Sequence, residues 1–302
     1  MPDRRSLAVA AGQAVTTAAC AGLNLLTPLP RGTARTTLRY GPHPRHRLDL
    51  YRPARAAPGA GLVVFVYGGA WATGRRRDYR FAAASFLRMG WSVAVPDYRL
   101  LPEGVFPAFL EDAAAATARA LGAGAAANAP LVLAGHSAGA YSAAMLALDA
   151  RWLAAAGVPE RRVSGLIGLS GPYDFLPLDH PATIAVFGRV ADLPATQPVC
   201  HVGAGKPPAL LVHADNDYVC GVYHSRNLWR RLVQFGSPAG LLRLPAGGHL
   251  APLLALSRPW RNGAVTDAIG ALLDRASGAS SPVRIQTGAC PQDRDTEESP
   301  AC

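Results

Sequence analysis

Short apolar runs recur at Leu62 to Val66, Ser92 to Val95, Leu131 to Ala134, Gly165 to Leu169, Ala209 to His213 and Leu241 to Leu244. They are β-branched or leucine-rich and too short for helices, as expected of strands buried on both faces. Between most of them lie stretches of helical character: Phe81 to Met89, Phe109 to Leu121, Ala138 to Leu148, Ser225 to Phe235 and Val265 to Arg275. Strand and helix in alternation predict an α/β fold with a mostly parallel central sheet and helices on both faces. Ahead of this rhythm, Thr36 to Pro53 reads as two edge strands, with Arg47 to Tyr51 alternating polar and apolar. The segment 174–208 breaks the rhythm, because Pro177, Pro181, Pro194 and Pro198 leave only a brief helical stretch near Ile184 to Val190. It is predicted to be a small cap over the site.

The pattern places one domain over residues 36–276. Residues 1–35 form an apolar segment that opens with Arg4 and Arg5 and runs uncharged from Ser6 to Pro30. It reads equally as an export signal and as a retained amphipathic helix covering the domain, and less well as a membrane span, because Gln13, Thr16, Thr17 and Asn24 dilute it. A signal or anchor there implies export or membrane association; a covering helix implies a cytoplasmic protein. Residues 277–302 turn to Gly, Ser, Pro and charge and are expected to be a flexible tail.

Composition adds bounds. With 302 residues, half of them hydrophobic, the chain can bury one large core. The formal charge of +10 is nearly all arginine, Lys206 being the lone lysine. The arginines are scattered, with short clusters at Arg75 to Arg77 and at Arg161 and Arg162, and no nucleic-acid-reading module surrounds them, so no nucleic-acid partner is expected. The first cluster is open to two readings: an exposed loop face, or a lure for acidic substrates. Cys20, Cys200, Cys220, Cys290 and Cys302 have no zinc-site spacing, and no metal is expected. Cys200 and Cys220 flank a strand, where a disulfide and two free thiols are equally plausible.

The chemistry begins at Leu131 to Ala140, an apolar strand, then Gly135-His136-Ser137-Ala138-Gly139, then an alanine-rich helix. Glycines at both ends of G-x-S-x-G let the turn close sharply, so that the serine projects from the strand end with its oxygen exposed. Ser137 is the candidate nucleophile. A serine hydroxyl needs a base within hydrogen-bond reach and a carboxylate to orient that base. Of His180, His201, His213, His224 and His249, the last comes after the final strand in a Gly247-Gly248-His249 loop able to swing an imidazole over the serine. His213 ends a buried strand and reads as a satisfied core histidine. After that strand come Asp215 and Asp217; Asp217, deeper in the loop, is preferred as the triad acid, and Asp215 as a turn cap. Asp97 and Asp174 read as structural, with Asp174 remaining an alternative acid. Oxyanion donors are expected from the backbone of Ala138 and of Gly69 and Ala70, in the loop after Val63 to Tyr67.

At these residues the chain resembles the α/β-hydrolase esterases of the hormone-sensitive-lipase and feruloyl-esterase-like group, within it the isoprenylcysteine methylesterase-like and kynurenine formamidase-like enzymes. The likeness covers roughly residues 38–275. It rests on Tyr40-Gly41 and Leu48 to Tyr51, Gly68 to Trp71, Asp97 to Leu100, Pro107 to Asp112, Gly135 to Gly139, Ser170 to Asp174, the Asp217 segment and Gly248-His249. The resemblance implies the α/β-hydrolase fold and a cofactor-free carboxylic ester hydrolase acting on a small-molecule ester through an acyl-enzyme on Ser137. Three departures stand out: Tyr67 where relatives carry His, which should alter the pocket wall; Ala70 where a third Gly is common; and Ala214 where Gly is frequent, which could shift the acid loop. The alternatives are amide hydrolysis of an N-formyl aryl amine, and a binding protein on a hydrolase scaffold that has lost its chemistry. Oligomeric state leaves no trace in the sequence.

Overall fold

A computed structural model describes residues 19–123, 128–257 and 263–279; the parts of the N-terminal segment and of the tail expectation that fall on 1–18 and 280–302 lie outside the described residues. One eight-stranded sheet runs through the molecule: β1 (Ala34–Arg39), β2 (Arg47–Arg52), β3 (Leu62–Val66), β4 (Ser92–Pro96), β5 (Leu131–His136), β6 (Val163–Leu169), β7 (Ala209–Ala214) and β8 (Ala239–Leu244), in the order β1-β2-β4-β3-β5-β6-β7-β8. β1 and β2 pair antiparallel, β2 runs antiparallel to β4, and all later pairs are parallel. The edge strand β1 is largely exposed, whereas every residue of β3, β5 and β7 is buried, as strands covered on both faces must be.

The helices are residues 19–26 (α1), α2 (Arg80–Arg88), α3 (Ala108–Leu121), α4 (Ala138–Leu148), α5 (Ala150–Ala155), α6 (Pro181–Phe187), α7 (Tyr223–Gln234), α8 (Ala251–Ser257) and α9 (Gly263–Ala276). Helices α3, α4 and α7 pack on one face of the sheet and α2, α8 and α9 on the other. All of α4 is buried, which its alanine-rich, uncharged sequence permits. Helix α1 lies on the body: Cys20 and Leu23 are buried, Asn24 accepts from the Phe81 N–H, and its amide donates to the carbonyls of Arg77 and Asp78. Among the described residues no helix is long and apolar enough to cross a membrane.

Segment 174–208 holds α6 and two short 3-10 turns, Pro194–Thr196 and Pro198–His201. An aromatic cluster seats it. Phe187 is fully buried, its ring centroid 5.3 Å from Trp71, 5.4 Å from Tyr141 and 5.1 Å from Phe175, and Tyr141 donates to the Thr196 carbonyl at 2.7 Å.

Three expectations change here. Cys220 is a free, buried thiol while Cys200 is disulfide-bonded, so the two are not joined to each other. The arginine cluster is not one exposed face: Arg76 is buried and ion-paired with Asp49 and Asp97, leaving only Arg75 and Arg77 exposed. Tyr67 is not at a pocket wall, because its fully buried ring stacks between Tyr79 and Tyr98 while its hydroxyl accepts from Arg45 at 2.7 Å.

Candidate active site

Strand order decides where side chains can converge. After β3 the chain continues to β4 on one side, while β5 lies on the other, so the carboxyl ends of β3 and β5 form the crevice where ligands bind in open α/β sheets. Val66 of β3 is in register with Gly135 of β5, which sets the Gly68–Trp71 loop beside Ser137.

Ser137 sits between β5 and α4 with φ 54°, a left-handed conformation costly for a residue with a Cβ. Its N–H donates to the Leu169 carbonyl at 2.9 Å, and its own carbonyl accepts from Ala140 and Tyr141, so the turn is held on both sides. The glycines around it are packing requirements: a Cβ on Gly139 would stand 2.0 Å from the Val66 carbonyl oxygen, and one on Gly135 would stand 2.3 Å from that of Gly139. The close approach brings the start of α4, with its unpaired N–H groups and positive dipole end, against the β3 loop.

In that loop Gly69, Ala70 and Trp71 all have positive φ, at 135°, 49° and 56°. The Gly69 carbonyl turns inward to accept from Ala72 and Thr73, both at 3.0 Å, and the Trp71 carbonyl accepts from Leu101 at 2.8 Å. Among the described residues the N–H groups of Gly69, Ala70 and Trp71 have no backbone acceptor, so the two candidate oxyanion donors of this loop are among its unpaired amides.

The candidate acid and base come from the next two strand ends. Asp217 lies just past β7 and is nearly fully buried; one oxygen accepts from the N–H groups of Val219 at 2.9 Å and Cys220 at 3.0 Å, and the other accepts from His249 Nδ1 at 2.8 Å. Burial on its own would raise this carboxyl, but hydrogen bonds from His213 and His249 and the charge on His249 hold it well below the usual carboxylate range. His249 lies in a 3-10 turn, Gly248–Leu250, entered through Gly247 at φ 107° and Gly248 at φ 61°, conformations that glycine adopts without strain. Asp215 instead pairs with Arg243 at 2.6 Å, and Asp174 accepts from Asn227 at 2.8 Å, neither meeting His249.

Two residues outside the sequence-based selection tie these loops together. Asn216 accepts from the Gly248 N–H at 3.0 Å, binding the acid loop to the histidine loop. His136, the second residue of G-x-S-x-G, has Nε2 3.1 Å from the His249 carbonyl and its ring centroid 4.9 Å from that of His249. A carbonyl only accepts, so His136 carries its proton on Nε2. Burial, together with the charge of His249, pushes it down to about 3 and keeps it neutral. Ser137 is thus joined to His249 through His136 rather than by a direct hydrogen bond.

A family model described as BD-FAE matches residues 48–232. Esterase LipC of Mycobacterium tuberculosis is 30% identical over 253 residues, which cover 73% of this chain and 60% of that protein. Isoprenylcysteine alpha-carbonyl methylesterase ICME of Arabidopsis thaliana is 27% identical over 253 residues, covering 76% of this chain and 59% of its own. The chain therefore spans less than two thirds of the length of these relatives. Among solved structures, an esterase from the bacterial hormone-sensitive lipase family superposes with a TM-score of 0.71 at 20% identity, over 92% of this chain and 94% of that one.

Proposed function

The chain belongs to the BD-FAE family and has the α/β-hydrolase fold, and from that premise and the geometry of the site we propose that it is a serine carboxylic ester hydrolase. The observation that carries this reading is the buried Asp217 carboxylate 2.8 Å from His249 Nδ1, on a loop pinned to the residue beside the Ser137 elbow. An imidazole whose Nδ1–H is held by a carboxylate presents Nε2 as a base.

With an ester in the crevice, Ser137 Oγ attacks the carbonyl carbon as His249 Nε2 takes the hydroxyl proton, a hydrogen bond that closes with substrate in place. Negative charge on the former carbonyl oxygen is met by the N–H groups of Gly69, Ala70 and Ala138. Collapse breaks the bond to the alcohol oxygen, which leaves with the proton from His249. Water, deprotonated by the same imidazole, then attacks the acyl-Ser137 ester and releases the acid. No step calls on a cofactor. The acyl or alcohol pocket, modest and mainly apolar, is placed under segment 174–208.

The test is hydrolysis of short p-nitrophenyl esters by the purified protein, with Ser137→Ala alongside and mass spectrometry of the trapped acyl-enzyme. Loss of nearly all activity in the variant and an adduct on Ser137 are expected; a variant as fast as the parent removes the triad assignment. Turnover of N-formylkynurenine well above that of every ester would replace the ester by a formamide as the substrate class.

A further inference from the structure

The triad reading asks one thing of Asp217, that it hold His249. The structure gives its carboxylate a second imidazole. His213, the fifth residue of β7, is fully buried, and its Nε2 lies 3.2 Å from the same Asp217 oxygen that takes the His249 hydrogen bond. That Nε2 is also 2.7 Å from the carbonyl oxygen of Cys220, and Nδ1 is 2.7 Å from Ser225 Oγ on α7. These partners settle the tautomer. A carbonyl cannot donate, so Nε2 carries hydrogen, directed at the Cys220 carbonyl with the Asp217 oxygen 3.2 Å away; in the neutral ring Nδ1 bears the lone pair and Ser225, itself fully buried, donates to it.

We infer that His213 is a positioning residue for the reaction: through a ring fixed by Ser225 and the Cys220 carbonyl it holds the Asp217 carboxylate in line with His249 and takes up part of the charge His249 would otherwise face. The inference rests on the Ser137, Asp217 and His249 reading above. Two features separate it from the ordinary packing of a core histidine. Both of its nitrogens are aligned by groups from different elements, and Nε2, hydrogen-bonded to the Cys220 carbonyl, stands 3.2 Å from the carboxylate oxygen that touches the base. The other ionisable groups around this ring are His224 of α7, Asp174 beside it, the Cys220 thiol and, past His249, His136. Burial lowers His224 to about 4 and His136 to about 3, so both rings are largely neutral across the assay range.

The experiment compares the parent with His213→Leu, His213→Gln and Ser225→Ala in p-nitrophenyl butyrate hydrolysis from pH 5 to 9, after Ser137→Ala has been shown to abolish turnover. The same four proteins are examined by proton NMR for the low-field resonance of His249 Nδ1–H, which reads the Asp217 to His249 bond without substrate. His213→Leu should lower kcat tenfold or more with KM changed by less than about threefold, and the acid limb of the kcat/KM profile should move up by about half to one pH unit, since the whole carboxylate charge then faces His249. His213→Gln, which restores an N–H near the Nε2 position, should recover most of both, and Ser225→Ala, which leaves the Cys220 carbonyl contact to hold the ring, should show a smaller shift of the same sign and move the low-field resonance in the same direction. A loss of kcat with the acid limb and resonance unmoved, or with no recovery in His213→Gln, assigns His213 to packing alone and overturns the inference. Turnover that survives Ser137→Ala brings down the triad reading, and this inference with it, by a separate result.

Discussion

Replacing Asp217 by Asn changes one atom, and the surroundings decide which way the new amide points. With its oxygen toward the N–H groups of Val219 and Cys220, the amide keeps both backbone hydrogen bonds, at 2.9 and 3.0 Å, and turns its NH2 toward His249 and His213. The flipped orientation sets NH2 against two backbone donors that have no other form, at roughly 1–3 kcal/mol for each buried group left unpaired. The first orientation wins, because the His213 Nε2–H that its NH2 also faces keeps the Cys220 carbonyl as acceptor at 2.7 Å, and it alters the base: facing an N–H donor, His249 Nδ1 must accept, which moves the ring proton to Nε2. A protonated Nε2 cannot take the hydrogen of Ser137. The variant should fold, keep KM within a few-fold and lose about 10^3 to 10^4 in kcat, or about 4–5.5 kcal/mol of transition-state stabilisation. Steady-state hydrolysis of p-nitrophenyl butyrate at pH 7 to 8 measures this, with circular dichroism to verify the fold. A folded Asp217→Asn protein within tenfold of the parent kcat would show that the His249 tautomer is not set by this carboxylate, and the reasoning would fail.

Ser170 has φ 49°, and its buried hydroxyl has no partner among the described residues; Ser170→Gly removes both penalties at the cost of backbone entropy and should stabilise the protein by about 1 kcal/mol in urea unfolding, a net loss of stability being the contrary result. His136 and His224 are pushed by burial to about 3 and about 4 from an ordinary 6.5, so the unfolded chain binds more protons than the folded one over that interval; the stability they give is complete above pH 6.5 and drains as pH falls toward 4. Each contributes about 1.4 kcal/mol per pH unit inside the window, and His136→Gln should reduce the slope by that amount; an unchanged slope in urea titrations at pH 4.5 to 6 would contradict the burial argument. A Cβ on Gly68 would lie 2.8 Å from the His136 carbonyl oxygen and 2.9 Å from Ser137 Cβ, so Gly68→Ala should push the donor loop off the serine and lower kcat/KM by tenfold or more, whereas activity within twofold would mean that the loop yields freely.

The sheet is legible in the sequence because its strands announce themselves twice, as apolar runs and by the turn residues at their ends. Leu62–Val66 is one uninterrupted buried strand, and β5 ends where Gly135 and Gly139 force a turn. Helices α5 and α8 leave no such signal: each is short, and a pattern of period 3.6 needs more than two turns to stand out. At the candidate site, glycine and sequence order lead to Ser137, Asp217 and His249, but not to the residues that bind the loops together. Asn216 looks like a turn residue between two aspartates, and its contact with Gly248 joins positions 32 apart. His213 has the burial of a satisfied core histidine; that its Nε2 stands 3.2 Å from Asp217 depends on how the loop folds back on its own strand, which no local pattern records. Arg76 shows the same gap, since a run of three arginines looks exposed until Asp49 and Asp97 are brought beneath it by other strands.

Among the described residues, the non-glycine positions with positive φ are Ala70, Trp71, Ser137 and Ser170. They come just after β3, β5 and β6, which are neighbours in the sheet, so the strained turns stand side by side along one edge. Each costs about 1–2 kcal/mol relative to ordinary backbone, a sum the packing of three fully or almost fully buried strands offsets. Ser170 touches no reacting atom in the proposed chemistry. The peptide that joins it to Leu169 is held by the sheet on both sides: the Leu169 carbonyl accepts the N–H of Ser137 at 2.9 Å, and the Ser170 N–H donates to the Val212 carbonyl at 2.9 Å. The sheet ladder therefore fixes the amide of the candidate nucleophile at the point where β5 gives way to its strained turn, before any substrate arrives.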